Sequence, residues 1–301
     1  MSVLDGPRRE RRRVLHGGSS YWCTPDNGGA LRLDDGRSIA AIDAIHLAPC
    51  TPSKIICVHL SYSSRGIESR NEPRPTPTPT YFMKPVTALN GHGGEIVKPA
   101  DCRYLNYEGE FAAIIGRVTR NVTPEEVWDC IAGFAPALDM GLHDFRDTDA
   151  GSMLRVKGSD GFCPIGPGLV SGVDPRQQTL RTYRNGRIVQ EARIGEEMVW
   201  GVDYMIADIA RHITLLPGDV ILTGTPCHSR PLEPDDVIEV EITGLGRLTN
   251  RVVAGPAPRA SVGHPAMDTP EARRVALGVD ERVPARFKDN YRAAGASKPA
   301  S

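Results

Sequence analysis

The chain has 301 residues, 40% hydrophobic and 24% charged, which supports a full core and excludes disorder throughout. Its 36 Lys and Arg against 37 Asp and Glu give a net charge of -1, so no nucleic-acid partner and no membrane-surface partner is expected. No apolar run approaches the roughly 20 residues that span a bilayer, and seven scattered cysteines without a CxxC pair argue against a disulfide framework. The Arg-rich start lacks the apolar stretch of a secretory signal, so a reduced, cytoplasmic protein is the expectation.

Residues 1–20 read as a mobile arm. Arg8, Arg9, Arg11, Arg12 and Arg13 form a charge block ahead of Gly17, Gly18, Ser19 and Ser20, and nothing apolar anchors it. Residues 21–50 read as a small N-terminal β appendage, with alternating segments over 31–47 around the turn signal Asp35-Gly36. A main domain follows over 51–254. Its first element, 54–60 (KIICVHL), is a buried-strand candidate. Pro73, Pro75, Pro77 and Pro79 then exclude a central strand and imply an extended surface connection. Thr123-Pro124-Glu125-Glu126 carries an N-cap, a proline at the first helical position and a capping-box glutamate. Val202, Ile206, Ile209 and Ile213 recur at helical spacing on one face. Residues 220–223 and 237–242 read as strands, and 255–301 as a peripheral tail with one short helix around 270–277. Many short strands with few helices define a mainly β fold with decorating helices (α+β).

Several residues could carry chemistry. Glu108 and Glu110, in the run Asn106-Tyr107-Glu108-Gly109-Glu110 ahead of the apolar 111–115, share a strand face about 7 Å apart. Two such carboxylates repel unless they are solvated or a cation lies between them. Asp139 ends the apolar segment 131–138, a usual ligand position for a hard divalent cation, whereas Asp144, Asp147 and Asp149 could simply cap or solvate the next loop. Lys157 lies in a Gly- and Pro-dense loop and could neutralise a substrate carboxylate or enolate, a surface lysine being the alternative. Gly224-Thr225-Pro226 directly follows a strand and could line a pocket. Of the histidines, His59 reads as a core residue and His92 as part of a flexible glycine-rich loop. His143, four residues beyond Asp139, is the best acid–base candidate, with a reference pKa of about 6.5. No cysteine has a base at motif spacing, so a thiol nucleophile is not expected.

Taken in order, YEGE with its apolar continuation, the Asp139 segment, RVKGSDGFCPIGPG and LTGTP resemble the fumarylacetoacetate hydrolase family over roughly residues 51–254. Residues 54–62 and 81–85 resemble that family's KIICVGLNY and F-x-KP segments. Its isomerases of 2-hydroxyhepta-2,4-diene-1,7-dioate and 5-carboxymethyl-2-hydroxymuconate are the similar members. The resemblance implies a fumarylacetoacetate hydrolase-like β-roll core, a small-molecule 2-oxo acid substrate, often a homodimer, and bound Mg²⁺, with Mn²⁺ or Ca²⁺ as alternatives. By motif, Glu108, Glu110 and Asp139 resemble the metal ligands, Lys157 the lysine on the substrate's oxo or enolate oxygen, and Thr225 a substrate-carboxylate ligand.

The chain also departs from the family pattern. Many relatives carry a lid His–Glu dyad in NY-x-x-H-x-x-E. Here the segment is Ser61-Tyr62-Ser63-Ser64-Arg65-Gly66-Ile67-Glu68, so Arg65 replaces the histidine and Glu68 remains. Arginine is no base near neutrality. His143 stands at the family's usual arginine and Arg146 at its usual glutamine. The expectation is therefore a rearranged site. Arg65 and Arg146 bind substrate carboxylate, Glu68 holds Arg65 within the catalytic group, and His143 transfers protons. Isomerase or decarboxylase chemistry in aromatic catabolism is favoured, since neither needs activated water. A C–C hydrolase of an acylpyruvate- or fumarylacetoacetate-type diketo acid is the alternative among enzymes, and a catalytically silent small-molecule binder the alternative of another class.

Overall fold

The computed structural model describes residues 2–278 apart from Asn27, Asn71 and Ala150. Strands dominate it and helices decorate it, as the sequence implies. The larger sheet runs in the order Ser38–Ala40, Ala30–Leu33, Ser19–Pro25, Arg9–His16, Leu169–Ser171, Ile131–Leu138, Gly109–Ile115, Val220–Leu222, Ile55–His59 and Thr80–Lys84. Ile45–Leu47 also pairs with Arg9–His16. A second sheet orders Arg187–Arg193, Thr179–Arg184, Val237–Ile242, Gly246–Ala254 and Glu95–Lys98.

The strand Gly109–Ile115 is buried along its whole length because both faces are covered. Phe111, Ala113 and Ile115 enter the core between the sheets, with Phe134, Leu138, Leu180, Val240 and Leu248. Ala112 and Ile114 point the other way and pack with Ile55, Cys57, Ala135 and Ala137. The period of two therefore sends the acidic end of this strand, Glu110, toward the face of Ala112 and Ala137.

Helices obey local signals. Thr123 accepts from the Glu126 amide while the Glu126 carboxylate accepts from the Thr123 amide, the reciprocal capping box read from the sequence. The helix Val202–Ala210 buries Val202, Ile206 and Ile209, but it ends before Ile213, which is 45% exposed.

Two expectations about the ends need correction. The arginine block is no mobile arm: Arg9–His16 is a strand, paired to Ser19–Pro25 through a Gly17-Gly18 turn with positive φ at both residues. Val14 anchors it in a small core with Cys23, Leu31 and Leu33, and Glu10 bridges Arg8 and Arg12 through one oxygen each. Nor is the tail peripheral. The helix Pro270–Leu277 forms where expected, but it docks beside the candidate site described next. The remainder of the tail, 279–301, lies outside the described residues.

Candidate functional site

Strand register assembles three carboxylates. Gly109 pairs with Leu138 and Glu110 with Ala137, so Glu108 meets Asp139 just beyond the paired ends. The Asp139 amide donates to the Glu108 carbonyl at 2.9 Å. Ligand oxygens of Glu108, Glu110 and Asp139 all lie within 4.8 Å of one another. Gly224, at φ +91°, donates its N–H to the Glu110 carboxylate at 2.7 Å. A Cβ there would stand 1.9 Å from Ser61 Oγ, so only glycine permits this approach.

Two buried ammoniums answer the carboxylates. Lys157 Nζ lies 2.5 Å from Glu108 and 2.8 Å from Asp139, and Lys84 Nζ lies 2.5 Å from Asp139 and 3.1 Å from the Met140 carbonyl. Burial works against the Lys157 ammonium, but Asp139 and Glu108 outweigh it and raise its pKa. For Asp139, burial is likewise outweighed by Lys157 and Lys84, which hold the carboxyl below its ordinary range. Glu110 goes the other way: burial, then the charges of Asp139 and Glu108, push it well above the usual carboxylate range. Lys157, Lys84 and Arg65 answer Glu108 and Asp139, whereas Glu110 has no salt bridge among the described residues. This all-oxygen donor set, with one carboxyl left without a cation, fits a hard divalent cation.

The cluster underlies a cavity of 570 Å³. Glu108, Glu110, Lys157 and Thr225 line it, with Arg65, His143 and Arg146 also in its wall. Arg65 does not project freely into this space. Its guanidinium is buried, 2.7 Å from Glu68 and 3.5 Å from Glu108. Glu68, outside the lining, is held between Arg65 and Arg230 (2.6 Å) and accepts from the His228 amide. Burial raises the Glu68 pKa, but the two guanidiniums outweigh it and bring it below the ordinary value. Arg146 differs: its hydrogen bond among the described residues runs to Met153 Sδ at 3.5 Å. Both ring nitrogens of His143 are buried without a hydrogen-bond partner among the described residues. Burial, then Arg146, Lys157 and Arg65, push its pKa well below the ordinary value, so the imidazole is neutral and does not titrate near neutrality as the sequence suggested. Thr225 Oγ1 accepts from Gln190 at 3.0 Å.

Four contributors escaped the sequence reading. Lys84, from the edge strand Thr80–Lys84 of the larger sheet, and Gln190, from Arg187–Arg193 of the second sheet, reach in to support the cluster. His59, expected in the core, lines the cavity against Phe82, and burial lowers its pKa to about 4. Its alternation with Ile55 and Cys57 was the available signal. Arg274 comes from the tail. His92 is elsewhere, accepting from the Thr249 amide in another depression, and all seven cysteines are free and buried.

The fold and this site define a β-rich enzyme with an acidic cluster set in a cation-lined cavity. The chain belongs to the fumarylacetoacetate hydrolase family: residues 54–253 match the family model for the fumarylacetoacetate (FAA) hydrolase C-terminal domain. A solved 2-hydroxyhepta-2,4-diene-1,7-dioate isomerase from Mycobacterium marinum superposes with a TM-score of 0.73 at 34% identity, covering 82% of this chain and 98% of that one. The 4-hydroxyphenylacetate degradation bifunctional isomerase/decarboxylase of Escherichia coli is 31% identical over 73% of this chain, which spans 51% of that longer protein. A mitochondrial oxaloacetate tautomerase from Xenopus laevis is 34% identical over 73% of this chain and 72% of its own length. No helix among the described residues is long and apolar enough to cross a membrane.

Proposed function

We propose that this chain is a divalent-metal-dependent isomerase or decarboxylase of a 2-oxo or 2-hydroxydienoic dicarboxylic acid, working through an enolate. The observation that carries this reading is the acidic cluster of Glu108, Glu110 and Asp139 beneath a cavity whose wall holds Lys157 and Arg146. Glu108, Glu110 and Asp139 would hold the cation, with Mg²⁺ favoured for an all-carboxylate set. Such a cation would supply Lewis-acid stabilisation of the negative charge that develops on the substrate.

The remaining work falls to the chain's own side chains. Lys157 stays an ammonium and offers a hydrogen bond to the oxygen on which enolate charge develops. Arg146 binds a substrate carboxylate, because it lines the cavity and its hydrogen bond among the described residues runs to Met153 Sδ rather than to a carboxylate. His143 is neutral and open at both nitrogens, so it can take a proton from one substrate carbon and return it at another. A carboxylate arriving at Arg146 offsets one of the charges that depress this imidazole, which raises its basicity when substrate is bound. Thr225 and the Gln190 amide behind it orient the other substrate carboxylate. Glu68 is a positioning residue that fixes Arg65, rather than a base.

Isomerisation and decarboxylation are preferred to C–C hydrolysis because the lid position holds an ion-paired arginine where water activation would need a base. The family resemblance further supports a cytoplasmic homodimer with a catalytic domain over 51–254. Ultraviolet assay of Mg²⁺-loaded protein with oxaloacetate, acylpyruvates and 2-hydroxymuconate-type dienes tests the reading. Enol–keto or double-bond shifts, or loss of CO₂, are expected. Hydrolytic cleavage of acylpyruvates alone would replace the proposal with the hydrolase, and metal-dependent binding without turnover would leave a silent binder.

A further inference from the structure

The family-matched residues end at 253, yet a later element reaches the cavity. The helix Pro270–Leu277 starts on a Thr269 N-cap that accepts from the Ala272 amide at 3.0 Å, with Pro270 at the first helical turn. Its buried face, Ala272 and Ala276, packs on Tyr104. Asn106 donates to the Ala276 carbonyl at 2.9 Å, and Asp268, just ahead, accepts from Tyr104 at 2.6 Å and Arg103 at 2.8 Å. The helix is therefore fastened to the segment that leads into Glu108.

It is also fastened across the cavity. Arg274, held by Glu271 at 2.6 Å on its own helix, donates to the Ser69 carbonyl at 2.8 Å. Ser69 lies in the last turn of the helix Ser63–Arg70, where carbonyls lack intrahelical partners, so this guanidinium supplies a cap. The Ser63–Arg70 helix carries Arg65 and Glu68. Gly278, at φ +63°, closes the helix Pro270–Leu277 against the same ion pairs: a Cβ there would stand 2.9 Å from Arg230 and 3.1 Å from Glu68. Arg274 and Val275 both line the cavity, and Val275 is only 8% exposed.

We propose that the helix Pro270–Leu277 is a wall of the catalytic cavity that limits the length of acid the site accepts, with Val275 as the apolar stop and Arg274 positioning the Ser63–Arg70 helix. The inference takes its probes from the proposed 2-oxo acid chemistry. Neither residue touches the three carboxylates by any hydrogen bond among the described residues, so both can be changed without altering the candidate metal ligands.

The test is calorimetric binding of oxalate and of 2-oxopimelate to the Mg²⁺-loaded full chain. Val275→Trp should weaken 2-oxopimelate by about tenfold, roughly 1.4 kcal/mol, and leave oxalate within about twofold. Val275→Ala, a milder change should the Trp variant fail to fold, should shift the ratio of the two affinities toward the longer acid. An unchanged ratio in the folded variants overturns the proposal. Arg274→Ala should speed amide exchange across 63–70 at unchanged Mg²⁺ affinity, with partial recovery in Arg274→Lys. Wild-type protein that binds neither acid would refute the proposed 2-oxo acid chemistry, and exchange would then decide alone: unaltered exchange in Arg274→Ala overturns the wall.

Discussion

Arg65 and Arg146 both line the cavity, but their surroundings assign them opposite consequences on truncation. Arg65→Ala removes a buried guanidinium from between Glu68 and Glu108. Breaking a buried ion pair costs about 3–5 kcal/mol when the surviving charge is stranded. Glu68 would keep Arg230 at 2.6 Å and the His228 amide at 3.1 Å, so the loss reduces to that of one charged hydrogen bond, about 1.5–3 kcal/mol. Arg146→Ala breaks a contact to Met153 Sδ and no salt bridge among the described residues, so its stability should change by less than about 1 kcal/mol. Its cost should appear in substrate binding. A charge-assisted hydrogen bond of about 1.5–3 kcal/mol corresponds to a rise in KM of about 10- to 140-fold. Urea denaturation of both variants, with steady-state kinetics on a dicarboxylic substrate and its monocarboxylic analogue, separates the roles. Arg146→Ala should erase the preference for the dicarboxylate, and Arg65→Ala should lower the urea midpoint. A normal midpoint for Arg65→Ala, together with a KM defect equal to that of Arg146→Ala, would refute the assignment.

The other outcomes follow from the same geometry. Glu110→Gln should abolish metal binding and activity while circular dichroism stays native, and titration with Mn²⁺ followed by electron paramagnetic resonance reads this directly. Retained Mn²⁺ affinity in that variant would remove Glu110 from the ligand set. Lys157→Met should cut turnover by about 10²-fold or more, beyond any change in metal affinity; near-normal turnover would make the lysine structural. For Glu68, whose pKa is depressed in the folded state, the stabilisation is complete above the unfolded value of about 4.3 and is lost as pH falls through the lower folded value. The stability gap between wild type and Glu68→Gln should therefore be flat from about pH 5 to 8 and close below about pH 4; a gap unchanged at pH 3 would contradict the pairing.

What the sequence makes legible is whatever a short window determines. The alternation around Glu108 and Glu110, the acid that ends an apolar strand, the capping box at Thr123 and the helix at Pro270–Leu277 are all local. What escapes depends on distant pairing. Lys84 follows Phe82 and Met83 in a strand, and nothing nearby says that its ammonium will reach Asp139, 55 residues away. The arginine block looks solvated because its partners are remote: Arg9 and Arg11 pair with Ser171 and Leu169, and Asp34 answers Arg11 across the hairpin. Arg65 resembles a free carboxylate clamp until Arg230 and Glu108 are placed beside it and Glu68. The tail's helix is visible in sequence, but its docking on Asn106 and Ser69 is not.

The ion pairs form one continuous series of alternating sign: Lys84, Asp139, Lys157, Glu108, Arg65, Glu68 and Arg230. Glu110 stands outside this series. It is answered by the Gly224 amide and by no salt bridge among the described residues, which is why burial and its acidic neighbours can raise its pKa so far. Four cations and three anions in the series, with an ionised Glu110 as the fourth anion, come to neutrality. A divalent cation at the cluster would then leave two positive charges, and Arg146 adds a third, the wall's other charges cancelling as Arg70 against Glu72 and Arg274 against its partner Glu271. The enolate of a 2-oxo dicarboxylic acid carries three negative charges, two on its carboxylates and one on the enolate oxygen. A monocarboxylic substrate would leave the site one positive charge in excess at the moment the enolate forms, within a buried cluster where uncompensated charge is costly. Under the proposed function, charge balance would therefore favour the dicarboxylic class on grounds separate from the cavity's shape, with the ion-paired Arg65 in the permanent balance of the site and Arg146 answering the charge that arrives with substrate.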